Sequence, residues 1–265
     1  MFRYLALAFE YAKSAACLFT RAVYVSFMYE RQSHLYGVTH KTNPLSLGYP
    51  SNYPATRRLP LYLIQTPRMI INKSRLLAPI NDRYGTHRGL IRMLLAQMEL
   101  ATGRLAKFHL RRPDDIRRLV FVCQGNICRS SFAHQVAIRC KLPSASIGLS
   151  TSTGARSPAT ALAAASRANV DMRAHRATNF KDFDVQPGDL FLVMEVRQAH
   201  ELQRRLLDRP DVGIALLGLW CTRKMPHLHD PFTLNDRYFD AVFKRIDDAV
   251  HNLAMELPHL TKTAS

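Results

Sequence analysis

The pattern of apolar and polar positions changes character near residue 118. In residues 1–30, MFRYLALAFEYAKSAACLFTRAVYVSFMYE, five polar residues share one sector of a helical projection. Arg3, Glu10, Lys13, Ser14 and Arg21 fall within about 100° of one another, and the remaining face is wide, apolar and aromatic. HRGLIRMLLAQMELATGRLAKF, His87–Phe108, reads as a second amphipathic helix. Between them THKTNPLSLGYPSNYPATRRLP, rich in Pro, Asn, Ser and Thr, reads as an irregular linker, and RRPDD separates the second helix from the C-terminal half. From Leu119 onward, short apolar runs alternate with helical stretches. Strands are expected near 119–123, 146–151, 190–194 and 213–217, and helices near 131–141, 158–169, 197–207 and 235–254. This alternation predicts an α/β fold, a doubly wound short parallel sheet with helices on both faces. The expected division is a basic, mainly helical N-terminal extension, 1–112, followed by the α/β domain, 113–265.

The stretch with the most chemistry is LVFVCQGNICRSS, Leu119–Ser131. Leu119 to Val122 form a short apolar run, the mark of a buried parallel strand. Gly125 and Asn126 tolerate left-handed backbone. Ser130 or Ser131 offers a helix N-cap, and FAHQVAIRC reads as helix. Strand, tight loop and helix N-terminus together make an anion cradle, because the loop N–H groups and the helix dipole point inward. Arg129 brings a planar fork suited to two phosphate oxygens. Cys123 lies at the bottom, where N–H dipoles and a cation favour thiolate, a nucleophile for phosphoryl transfer. Two blander readings compete. Cys123 could be an inert core cysteine. Cys123 and Cys128 could join Cys221, His227 and His229 around zinc, although their spacing suits usual zinc pairs poorly and zinc gives no reason for Arg129.

The string VFVCQGNICRSS closely resembles the phosphate-binding loop of the low-molecular-weight protein tyrosine phosphatases. The resemblance continues, in matching order and spacing, from about Arg118 to about Leu257. STSTGAR (Ser150–Arg156) looks like that family's Ser-Ala-Gly-Thr segment. NVDMRAHRATNFKDFDVQPGDLFLVME (Asn169–Glu195) looks like its Gly-Ile-x-x-x-His-Arg-Ala segment followed by a strand ending in Met-Asp. HDPF (His229–Phe232) resembles its Asp-Pro-aromatic loop. By that resemblance Cys123 is the nucleophile, Arg129 the transition-state clamp and Asp230 the general acid. The phosphate-binding loop is Gln124, Gly125, Asn126, Ile127, Cys128 and Ser130, with Asn126 shaping it and Ser130 bonding the thiolate. Phe232 would wall the substrate. Asp230 also makes chemical sense by itself: expulsion of a phenoxide needs a proton, and the same carboxylate can then activate water. Asp-Pro is equally an ordinary turn starter. Gln124 stands in place of the usual apolar residue, Ser131 in place of the usual proline, and Thr233 where a second aromatic often follows. Cys128 either packs under the loop or captures oxidised Cys123 as a disulfide, as a neighbouring cysteine of that family can.

Charge separates the two halves. The chain has 265 residues, 47% hydrophobic, and a formal net charge of +17. Residues 1–118 carry 19 Lys/Arg and 6 Asp/Glu, so the basicity is mostly a property of the extension. Its first segment is interrupted by charge too often for a membrane span and lacks the features of a signal peptide. One reading is a helical annex packed on the catalytic domain. A sharper one is peripheral association of residues 1–30 with anionic membrane, or docking to an acidic partner. No nucleic-acid motif is evident. Five cysteines without a regular framework point to a reducing, cytoplasmic compartment.

The expected function is phosphomonoester hydrolysis through a cysteinyl-phosphate, acting on protein phosphotyrosine without a metal or other cofactor. The resemblance further implies a bacterial enzyme that opposes a tyrosine autokinase. Two alternatives remain open: an arsenate reductase of the same fold, and a non-catalytic phosphate-binding module. The first needs a further pair of relay cysteines, and after Met194 only Cys221 is present.

Overall fold

A computed structural model describes residues 73–110 and 112–262. The segment expected to meet a membrane, residues 1–30, and the linker after it lie outside the described residues. Among the described residues no helix is long and apolar enough to cross a membrane.

Two helices come first, α1 (Lys73–Tyr84) and α2 (His87–Ala101). Next come β1 (Arg118–Cys123), α3 (Arg129–Arg139), β2 (Ser144–Gly148), α4 (Ala159–Arg167), β3 (Asp189–Val193) and α5 (Val196–Arg205). The chain closes with β4 (Gly213–Leu216), α6 (Asp236–Glu256) and α7 (Pro258–Lys262). The four strands form one parallel sheet in the order β2-β1-β3-β4. Alternate residues of β1 serve opposite layers, as strand geometry requires. Leu119, Phe121 and Cys123 pack with Phe132 and Val136 of α3, Ala161 and Ala165 of α4, and Phe239 and Phe243 of α6. Val120 and Val122 pack on the other side with Phe191, Val193 and, from α5, Ala199 and Leu202. The rings of Phe132 and Phe243 stack with centroids 4.0 Å apart and tie α3 to α6. Helices therefore cover both faces, as expected.

Three boundaries differ from the sequence reading for an identifiable physical reason, and the other ends fall within two residues of it. The strand expected at 146–151 is Ser144–Gly148. It begins on small half-buried residues at the sheet edge, which carry little apolar signal. The helix expected over 87–108 stops at Ala101, and Gly103 takes φ +75°, a left-handed value that ends a helix cheaply only at glycine. The chain then turns Leu105 and Phe108 into the second core layer. The helix expected from 131 starts two residues earlier, at Arg129, with Cys128 as N-cap and no side-chain cap bond. Neither Ser130 nor Ser131 caps it.

The resemblance begins near residue 118, but the packing unit begins earlier and includes α1 and α2. Gly89, Met93 and Ala96 of α2 are buried, while its outer side carries Ile91, Leu94, Leu95 and Met98 exposed.

Candidate active site

The site forms at the carboxyl ends of β1 and β3, where an open α/β sheet presents its loops. Cys123 ends β1 and is buried, its backbone paired in register with Gly148 of β2. Its Sγ accepts a 3.2 Å hydrogen bond from the Asn126 N–H and lies 3.1 Å from Ser130 Oγ. Asn126 takes φ 51°, a left-handed conformation that asparagine tolerates. Gly125 does not share it. The Asn126 amide is committed on both sides: Nδ2 donates to Ser130 Oγ at 2.8 Å, and Oδ1 accepts from the Thr178 N–H at 2.9 Å. His175 Nε2 donates to the Asn126 carbonyl at 2.7 Å. Gly148 passes directly beneath: a Cβ there would lie 3.0 Å from the Gln124 carbonyl and 3.1 Å from the Asn126 nitrogen. The loop is thus held from below by β2 and from the side by the 175–178 segment. Ser131, in place of the family's proline, is buried and donates to the Cys128 carbonyl at 2.9 Å, which satisfies its hydroxyl. With no side chain capping α3, its first-turn N–H groups are left to face the cradle.

Among the described residues Arg129 is the largest fully buried side chain. Its side chain is 1% exposed. Nη1 donates to Glu195 Oε1 at 2.6 Å and to the Leu228 carbonyl at 2.9 Å. Nη2 lies 2.9 Å from Asp230 Oδ2, close enough for charge attraction but out of line for a hydrogen bond. Nε and Nη2 are buried without a hydrogen-bond partner among the described residues. Burial opposes the guanidinium charge, but Asp230, Glu195 and Cys123 outweigh it and raise the pKa further. Glu195 follows the end of β3, is 1% exposed and also accepts from Arg197 Nε at 2.7 Å. Burial alone would raise its pKa, yet the charge and hydrogen bond of Arg129, with His227 and Arg197, hold it at about 2. Glu195 is therefore a fixed anion that orients Arg129.

Asp230 sits over this group with its side chain 38% exposed, and its Oδ1 accepts from the Phe232 N–H at 3.2 Å. The loop is tied at each neighbour: the Leu228 N–H donates to the Met194 carbonyl at 2.8 Å, and Tyr238 Oη donates to the His229 carbonyl at 3.1 Å. Thr233, beside it, holds φ 66°, an uncommon conformation for a β-branched residue. Phe232 is half exposed next to Asp230, and Gln124 and Ile127 are partly buried at the loop. The structure thus brings together Cys123, Arg129, Asp230, Asn126 and Ser130, with Phe232 at the rim.

The zinc grouping does not assemble: among the described residues no three His, Cys, Asp or Glu side chains converge to hold a metal. Cys128 is a free buried thiol whose pKa is pushed up by burial and by Asp230 and Cys123. Burial and Asp248 push Cys221 up to about 12, and its Sγ donates to the Arg245 carbonyl. Cys140 is only half-buried.

Sequence reasoning missed three parts of the site. Glu195 stood at the end of the apolar run LFLVM, where a buried carboxylate needs a cation, and that signal was readable. His175 and Thr178 lie inside the Asn169–Glu195 segment, where nothing in the local sequence gives them a role. His227 and His229 were weighed only as zinc ligands. His227 is 5% exposed, and burial, aided by His229, Arg129 and Arg92 against Glu195, lowers its pKa to about 4. An imidazole that stays neutral when folded but charges near 6.5 when unfolded makes stability fall with acid between those values. His227→Phe should flatten that fall by about 2–3 kcal/mol between pH 6.5 and 4.5. Urea midpoints of both proteins across this range measure it, and parallel curves would refute it. Comparing the two proteins cancels the shared contribution of His134, His175 and His229, whose pKa values burial also lowers.

Fold and loop together define the class: a doubly wound α/β protein with an oxyanion cradle between its first strand and the following helix, and a buried cysteine on the floor. The model of the low molecular weight phosphotyrosine protein phosphatase family matches residues 118–263. The chain belongs to this family of cysteine-dependent phosphatases. It is 34% identical over 93 residues to a probable low molecular weight protein-tyrosine-phosphatase, EpsP, of Ralstonia nicotianae, covering 34% of this chain and 63% of that one. Over 137 residues it is 28% identical to the probable phosphatase AmsI of Erwinia amylovora, covering 51% of this chain and 92% of that one. Among solved structures, the tyrosine phosphatase Wzb from Escherichia coli K30, in complex with sulphate, aligns with a TM-score of 0.46 and 25% identity. That alignment covers 54% of this chain and 99% of Wzb.

Proposed function

We propose that the protein hydrolyses phosphotyrosine in proteins through a cysteinyl-phosphate on Cys123. The observation that carries this is the state of Arg129. A fully buried guanidinium whose Nε has no hydrogen-bond partner and whose Nη2 has only the charge of half-exposed Asp230, beside a cysteine, is costly unless an oxyanion completes it. Phosphate oxygens match that fork. The Cys123 thiolate attacks phosphorus while the bond to the phenolic oxygen breaks, and Asp230 gives its proton to the departing oxygen. The Asp230 carboxylate then takes a proton from water. The water oxygen attacks phosphorus, the S–P bond breaks, and thiolate and inorganic phosphate are restored. Arg129 and the α3 N-terminus stabilise the charge on the equatorial oxygens in both steps. Asn126 and Ser130 hold the sulfur in line. Phe232, exposed at the rim, is the apolar surface available to a tyrosyl ring. Cys221, buried and hydrogen-bonded to Arg245, is no partner for a disulfide relay, which favours this reading over arsenate reduction.

Asp230→Asn tests the assignment. A good leaving group such as p-nitrophenolate departs nearly unaided. The phenolate of tyrosine does not, because its conjugate acid has a pKa near 10. The variant should lose little kcat/KM on p-nitrophenyl phosphate and about 10²–10⁴-fold more on phosphotyrosine. This ratio reports steps through formation of the phosphoenzyme, so the hydrolysis step common to both substrates does not mask it. Equal losses would make Asp230 structural.

A further inference from the structure

Three parts of α1, α2 and the turn between them close on the segment that carries Asp230, although all lie outside the family-matched residues 118–263. At the turn, Gly85 takes φ +78°, and a Cβ there would lie 2.7 Å from Tyr238 Cε1, 2.8 Å from Leu234 Cδ1 and 3.0 Å from His229 Cδ2. A Cβ on Gly89, one turn into α2, would lie 2.9 Å from His229 Cδ2 and would overlap the Tyr84 carbonyl. No side chain fits between α2 and the His229 ring. Thr86, the N-cap of α2, accepts from the Gly89 N–H at 2.9 Å and sets its Oγ1 3.4 Å from His229 Nε2. On one side of this contact, Asp82 of α1 accepts from Asn235 Nδ2 and pairs with Arg237, both at 3.2 Å. On the other, Gln97 Nε2 donates to the Lys224 carbonyl at 2.6 Å. The segment from Lys224 to Arg237 is thus gripped at both ends and at His229 in its middle.

We propose that α1 and α2 form a positioning element of the catalytic unit, in which the Gly85–Gly89 turn seats His229 and so holds Asp230 over the cradle. The inference rests on Asp230 being the proton donor. Its logic is geometric. Leu228 is hydrogen-bonded to Arg129 and to Met194 from below, whereas among the described residues Asp230 itself is tethered only by its own turn and by charge. The direction of the Asp230 carboxyl depends on where the His229 backbone lies. The Tyr238 hydroxyl holds that backbone directly, and the packing of the His229 ring against Gly85, Thr86 and Gly89 holds it through the side chain. Burial lowers the pKa of this imidazole and so disfavours its charged form, which suits a ring wedged against glycine. Among the described residues Thr86 reaches His229 and neither the sulfur nor Arg129, so its effect on the site runs through His229, whereas Gly89→Ala also presses on the Tyr84 carbonyl.

The test uses the full chain with two variants, Gly89→Ala and the nearly isosteric Thr86→Val, each with wild-type Asp230 and with Asp230→Asn. Two readouts separate positioning from general weakening: the Ki of inorganic phosphate, which reports the cradle, and the ratio of kcat/KM for p-nitrophenyl phosphate to that for phosphotyrosine, which reports proton donation. The expected result is an unchanged Ki and a ratio raised about ten- to a hundredfold, the scale of a misplacement near 1 Å. In the Asp230→Asn background neither variant should raise the ratio further, because the group they position is gone. If Gly89→Ala fails to fold, Thr86→Val carries the same test. Equal losses on both substrates, a weakened Ki, or an additive effect on Asp230→Asn would overturn the positioning role. If Asp230→Asn alone leaves the ratio unchanged, the donor assignment fails first and the positioning proposal falls with it.

Discussion

Cys123→Ser is expected to abolish turnover and leave phosphate bound. The substitution exchanges sulfur for oxygen at a position whose hydrogen-bond partners, the Asn126 N–H and Ser130 Oγ, are small and remain in place. The Arg129 fork and the α3 N-terminus do not depend on it, so the cradle keeps its shape and charge. What disappears is the nucleophile. An alcohol needs a base beside it to attack phosphorus, and the partners of Cys123 are a backbone amide and another hydroxyl. The loss in kcat should be on the order of 10⁴–10⁶, the scale seen when a nucleophile is removed from a complete site. Two measurements check it: initial rates on phosphotyrosine, and quench trapping of radiolabelled phosphate, which should mark Cys123 in the wild type and nothing in the variant. Inorganic phosphate should still raise the melting temperature of the serine variant, since binding to the native state alone stabilises it. Undiminished hydrolysis by Cys123→Ser would end the covalent mechanism.

Replacing Arg129 should separate two roles that one side chain performs. Arg129→Met leaves Glu195 buried with Arg197 as its remaining partner, and Arg197 is largely solvent-exposed. Removing one member of a buried ion pair typically costs about 3–5 kcal/mol, so this variant should be severely destabilised and inactive. Arg129→Lys keeps a cation against Glu195 but cannot reach Glu195, the Leu228 carbonyl and an oxyanion together, because an ammonium on a flexible stem lacks the planar fork. It should retain more stability and lose about 10²–10³-fold in kcat, the usual cost of a missing donor to developing charge. Arg129→Met combined with Glu195→Gln should recover stability without activity, since no uncompensated anion is left. Urea midpoints and kcat/KM give both readouts. A lysine variant within a few-fold of wild type would assign Arg129 to structure alone. The same ion pair makes stability depend on acid. Glu195 is depressed to about 2 from 4.5, so its contribution is complete above about pH 4.5 and is lost as pH falls toward 2.

The strand, loop and helix around Cys123 were legible in the sequence because local interactions determine them. A solid apolar run selects a buried strand, Asn126 tolerates the left-handed turn, and the helical period returns at Phe132. The parallel sheet was legible for the same reason, since apolar runs alternating with amphipathic stretches admit few other packings. Where the local signal was thin, the reading slipped: β2 begins on Ser144 and Ala145, and α2 ends at Ala101 although its apolar period runs on to Phe108. Which charges and rings meet was decided by the tertiary structure. Asp230 was found through resemblance, because an Asp-Pro turn by itself says nothing about what lies beneath it. Glu195 was present in the sequence as a residue but not as the partner of Arg129, 66 positions away. The contact of Thr86 with His229 spans 143 positions and joins the family-matched domain to helices that composition alone assigned to a basic extension. Coulomb attraction and steric fit depend on distance in space, and over such separations only the completed packing of α1, α2 and α6 determines it.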